Sequence, residues 1–60
     1  MEVKDIIYGL RVKKGLSQDA LARKVMVTRQ AVSRWETGET TPHVETLKQL
    51  SQLFDVSINT

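Results

Sequence analysis

The chain has no cysteine, one proline, three glycines, one histidine and three aromatic residues. Without cysteine no disulfide staples the fold, and a single histidine with no thiol partner makes no zinc site. No apolar run reaches the roughly 18 residues that suggest a membrane span. The opening Met-Glu-Val-Lys-Asp is mixed and charged, unlike a secretory leader. The expectation is a cytoplasmic, nucleoid-associated location with no membrane partner. What remains is 60 residues, 40% of them apolar. A chain this short buries only about 60% of the surface its unfolded form exposes. That suffices for one small core, and the whole of residues 1–60 is expected to form a single domain.

A net charge of +2 says little; its distribution says more. Between Arg11 and Arg34 stand seven basic residues against Asp19, while the rest of the chain carries two lysines against six acidic residues. A basic first half joined to an acidic second half suits a domain that turns one face to a polyanion. Solvated helix faces explain the same charges equally well at this point.

Breakers and caps divide the chain into four helical segments. The first runs from about Glu2 to Lys14, with Val3, Ile6, Ile7 and Leu10 at helical spacing and Gly15 just beyond. Gly9 inside it either admits a close neighbour or is idle. Ser17 is a good N-cap for a second helix, Gln18 to about Val25, and Thr28 for a third, Arg29 to about Thr37, which Gly38 ends. Pro42 suits the first turn of a fourth helix, whose buried stripe is Val44, Leu47, Leu50, Leu53 and Phe54. Ser57 is a possible cap for a fifth, truncated helix. No strand pattern, repeat or low-complexity segment is present. The predicted fold is all-α, a compact bundle of four to five short helices.

Catalysis has little to stand on. His43 beside Pro42 reads as a surface or capping residue, and the carboxylates lack the spacing of a metal loop. No glycine-rich phosphate loop is present either. The expectation is a protein that is not an enzyme and takes no cofactor or metal.

Residues 18–37 carry more information. Two short helices flank a tight link, with Leu21, Val25, Val27, Val32 and Trp35 apolar and a small Ala22 where the helices cross. A helix-turn-helix requires this pattern: the first helix braces the second, which offers its outer face to a groove. Gly15-Leu16-Ser17-Gln18, Leu21-Ala22, Val27 through Glu36, Gly38, Pro42 and Thr46-Leu47 together resemble the phage repressor and Cro type helix-turn-helix family, the XRE family. The resemblance runs from about Ile6 to Val56 and implies a lambda-repressor-like fold. One position departs. Met26 stands where the family most often has a turn glycine, which implies either about 1 kcal/mol of strain at positive φ or an altered turn. Packing of the Met26 side chain on the first helix is the expected compensation.

The resemblance implies a third helix lying in the DNA major groove, with Arg29, Gln30, Ser33 and Arg34 at base-reading positions. Side-chain chemistry agrees, because arginine pairs bidentately with guanine and glutamine with adenine. The resemblance also brings Thr28, Thr37 and Gln18 to the DNA backbone, with Gln18 bracing Gln30. Thr40 and Thr41 are candidates for the opposite side of the groove, or for turn and cap duties. Lys13, Lys14 and Arg23 are weaker phosphate candidates. Arg11 and Glu36 are implied as a structural pair linking helix one to the end of helix three, and Trp35 as a core residue. The three aromatics fit buried or edge positions, which disfavours single-strand RNA reading.

The function so implied is sequence-specific binding of double-stranded DNA in a bacterial or phage transcriptional repressor. A domain with so few contacts is expected to work as a homodimer on a palindromic operator. The rivals are a protein-binding module on the same fold, such as an antitoxin or adaptor, and a targeting domain of a larger enzyme.

Overall fold

The computed structural model describes residues 2–56. Four α-helices follow in order: α1 (Val3–Lys13), α2 (Gln18–Lys24), α3 (Arg29–Thr37) and α4 (Val44–Phe54). No strand occurs among the described residues. The possible fifth helix from Ser57 lies outside them.

One core holds the four helices together. Ile7 of α1, Leu21 and Ala22 of α2 with Val25 at its end, Val32 and Trp35 of α3, and Leu47, Leu50 and Phe54 of α4 are all buried. Val3, Ile6, Leu10, Leu16, Val27, Ala31 and Leu53 pack around them. Helix α3 packs against both α1 and α2, so the narrow apolar stripe read from its sequence is enough to seat it. Ala22, essentially fully buried, is the small residue the helix crossing requires. Gly9 faces open space, with nothing within 4 Å of where a Cβ would stand, and so is idle.

The caps act as expected where α2 and α3 begin. Ser17 Oγ accepts the Ala20 N–H at 3.0 Å and Thr28 Oγ1 accepts the Ala31 N–H at 3.1 Å. All four helices end the same way, in a residue with left-handed backbone: Gly15 (φ 71°), Met26 (φ 61°), Gly38 (φ 84°) and Asp55 (φ 54°). The residue after each donates back into the last turn, Leu16 to the Arg11 carbonyl, Val27 to Ala22, Glu39 to Arg34 and Val56 to Ser51. This 6→1 bond is the mark of a Schellman ending.

Three expectations are corrected here. Pro42 is not in the first turn of α4; it is buried ahead of the His43 N-cap, where its ring serves packing. Val44 opens α4 off the stripe and is exposed. Met26 does adopt positive φ, but its side chain is 88% exposed. No packing on α1 compensates the strain, and the helix ending alone holds the residue there.

Candidate nucleic-acid interface

The inner side of α3 is fixed first. Arg11 reaches across from α1 and grips Glu36 with two bonds, Nε to Oε2 at 2.6 Å and Nη2 to Oε1 at 3.1 Å. Its remaining Nη1 donates to the Leu16 carbonyl at 2.8 Å. The side chains are only 13% and 7% exposed, so the pair is largely withdrawn from solvent and is no loose surface contact. Such a two-pronged arginine–carboxylate bond fixes geometry as well as contributing energy. Donating hydrogen bonds to Glu36 raises the Arg11 guanidinium above its ordinary pKa against the opposing pull of burial, in a group that is charged at every physiological pH in any case. Its guanidinium also lies over the Tyr8 ring, 5.3 Å from the centroid.

Gln18 joins this network. Its Nε2 donates to Glu36 Oε1 at 3.1 Å, so it braces Glu36 and not Gln30. The start of α2 and the end of α3 are thereby tied to α1 through one carboxylate. No buried side-chain nitrogen or oxygen among the described residues is left without a partner.

The outer side of α3 is of another kind. Arg29, Gln30, Arg34 and Thr37 are exposed, and Ser33 is half-buried at the edge between the faces. Helical spacing puts 30, 33, 34 and 37 on one face. Thr28 is exposed at the head of the helix with its hydroxyl accepting the capping bond, which leaves the hydroxyl proton to donate elsewhere. Thr37 is spent differently: its Oγ1 donates to the Arg34 carbonyl at 3.1 Å.

That carbonyl is a gathering point. Besides Thr37 it accepts the N–H of Glu39 at 2.9 Å and of Thr40 at 3.3 Å, and the N–H of Gly38 also reaches it. Gly38 permits the reversal through its positive φ. A Cβ there would stand 3.1 Å from Cδ of Lys4, which lies across the end of the helix. The folded-back loop brings Glu39 beside Arg34, with Nε and Oε2 3.8 Å apart. Glu39 escaped the sequence reading, yet a signal was present. A glycine ending a helix as Gly38 does returns the following residue over the fourth from last. Next to this loop lies a groove of about 350 Å³ walled by Val27, Ala31, Arg34, Trp35, Thr40 and Pro42 among others.

Other expected residues lie elsewhere. Arg23 of α2 is exposed and meets Asp19 at 3.2 Å, and Lys13 and Lys14 are exposed at the end of α1. Tyr8 is 53% exposed, contrary to the buried or edge position expected, but it stands on α1 and not on the outer face of α3. No group of three His, Cys, Asp or Glu that could hold a metal occurs among the described residues, and none of the described helices is long and apolar enough to cross a membrane.

With this geometry in hand, comparison with known proteins gives a consistent picture. A family model described as helix-turn-helix matches residues 7–60. The chain is 41% identical over 59 residues to the HTH-type transcriptional activator BcrR of Enterococcus faecalis, covering 98% of this chain and 29% of that protein. It is 38% identical over 47 residues to YonR of Bacillus subtilis (strain 168), an SPbeta prophage-derived uncharacterized HTH-type transcriptional regulator, covering 78% of this chain and 44% of the relative. The chain therefore spans less than half the length of these relatives. Among solved structures, the P22 c2 repressor in complex with the synthetic operator 9T is similar with a TM-score of 0.88 and 35% identity, over 95% of this chain and 86% of the other.

Proposed function

The chain belongs to the helix-turn-helix family, and from that premise we propose that it binds double-stranded DNA sequence-specifically as part of a transcriptional regulator. The observation that carries this reading is the division of α3. Its inner side is locked to α1 by the Arg11–Glu36 bond, while Arg29, Gln30 and Arg34 are presented to solvent on the outer side. A rigid helix with long donor-bearing side chains outward is what reading base edges in the major groove requires. Arg34 and Gln30, one turn apart, are the principal readers of guanine and adenine. Arg29 reaches a base or phosphate at the helix head, and Ser33 makes a shorter contact.

Thr28, Gln18 and Thr40 are assigned to the sugar-phosphate backbone. Thr37, its proton given to the Arg34 carbonyl, acts there as a brace for the loop. Regulation follows from occupancy: a protein seated on a promoter competes with polymerase, which makes the domain a repressor module. Two copies on a palindromic operator would place half-sites one helical turn, about 34 Å, apart.

Selection of a random duplex library at low salt, with Gln30→Ala and Arg34→Ala in parallel, tests the reading. An enriched inverted repeat, degraded at defined positions by each variant, supports it. Binding that shows no enrichment and only weakens as salt rises would reduce the interaction to backbone attraction and overturn it.

A further inference from the structure

The groups around Arg34 carry an inference that rests on the DNA-binding reading and deepens it. An unrestrained arginine at a DNA interface is indiscriminate, since its five N–H donors bond any phosphate as readily as a base edge. Here the side chain has a carboxylate beside it. Glu39 Oε2 lies 3.8 Å from Arg34 Nε, at ion-pair distance but too far for a hydrogen bond. The backbone brings the two exposed side chains into reach of one another. Glu39 is returned to Arg34 by its own N–H, bonded at 2.9 Å to the Arg34 carbonyl, and the Thr40 N–H and Thr37 hydroxyl secure the same turn.

We infer that Glu39 is a positioning residue that makes Arg34 a selective reader of guanine by setting it against the phosphate backbone. Two effects act together. First, a guanine takes an arginine through two donors in a fixed fork. The two Nη groups serve that contact end-on while Nε stays beside Glu39, so the ion pair and the base contact coexist. A phosphate that draws the guanidinium aside separates it from Glu39, and this mode loses the pair. Second, Glu39 is itself an exposed anion beside the reading face, repelled by every phosphate that approaches without a compensating base contact. Both effects weaken unspecific docking more than specific docking. Discrimination improves at some expense of total affinity, a form of selectivity obtained by penalising the wrong complex.

The test compares the wild type, Glu39→Gln, Arg34→Ala and the double variant, each measured on the duplex selected by the wild type and on random-sequence duplex at one fixed salt concentration. Thermal unfolding serves as the folding control; the pair is well exposed on both sides, so the melting midpoint of Glu39→Gln is expected to stay at the wild-type value. Glu39→Gln is expected to bind random duplex about threefold to tenfold more tightly, since a charge repelled by phosphate is removed. Its preference for guanine at the position read by Arg34 is expected to fall by about fivefold or more. In the Arg34→Ala background the same substitution still raises random binding but moves no base preference, because the reader it positions is gone.

If Glu39→Gln strengthens selected and random duplexes by one common factor, Glu39 is a plain repulsive charge and the inference is overturned. It also falls if the wild type selects a site whose preferences Arg34→Ala leaves intact, although DNA reading by the domain then stands. If the wild type selects no sequence at all, the DNA-binding reading fails and takes this inference with it.

Discussion

The two sides of α3 differ in almost every physical respect although they share nine residues of backbone. Inward, Val32 and Trp35 are buried and Glu36 is held by Arg11 and Gln18. Outward, Arg29, Gln30 and Arg34 are exposed, and among the described residues the ionic partner of Arg34 is the exposed Glu39. One side stores stability and the other stores information. A helix that must carry both separates them by rotation about its axis, so that a change in the message leaves the fold alone.

The largest test of that separation is on the inner side. Trp35→Ala is expected to cost about 3–5 kcal/mol. A 60-residue domain, at about 0.05–0.15 kcal/mol per residue, has about 3–9 kcal/mol in total, so this loss removes a large part or all of it. Loss of the cooperative thermal transition by circular dichroism checks it, and a variant that still melts cooperatively near the wild-type temperature would break the comparison. Next, Arg11→Ala is expected to destabilise by about 2–3 kcal/mol, since it leaves the Glu36 carboxylate largely withdrawn from solvent without its cation. Urea unfolding measures it. DNA affinity should fall by more than the folded fraction does, because the same pair fixes the orientation of α3.

Outward, Arg34→Ala is expected to cost about 1–3 kcal/mol of discrimination at one base pair, with stability changed by no more than about 0.5 kcal/mol. Parallel binding and melting curves read both quantities from one preparation. The smallest effect comes from a position on neither side of α3. Met26→Gly removes about 1 kcal/mol of left-handed strain, partly offset by the greater freedom of glycine in the unfolded chain. A slight rise in melting temperature with unchanged base preference would sharpen the distinction between stability and readout.

Much of this was legible beforehand, and the reasons are local. Helix α3 begins and ends where Thr28 and Gly38 place its limits, because a capping hydroxyl and a left-handed glycine act within one turn of their own position. The core residues of α2 and α3 followed from spacing. The Arg11–Glu36 pair was implied by family resemblance, since no local pattern joins residues 25 positions apart. The failures share a physical cause. Val44, Met26 and Tyr8 are apolar or aromatic, and composition cannot say whether such a residue meets a neighbour or open solvent. The family resemblance pairs Gln18 with Gln30, whereas in the structure its amide donates to the Glu36 carboxylate, the stronger acceptor. Pro42 suits a helix start but is found ahead of the His43 N-cap, where it is buried.

The fastening at the end of α3 has a consequence for how such a domain changes over generations. The loop after the helix is tied to the carbonyl oxygen of Arg34, an atom every amino acid supplies. The letter read at this position can therefore be rewritten by exchanging the side chain while the tether beneath it persists, proline excepted because it would break the helix. The scaffold is indifferent to the identity of its own reader. New operator preferences are then reachable by single codon changes, each intermediate remaining a folded protein.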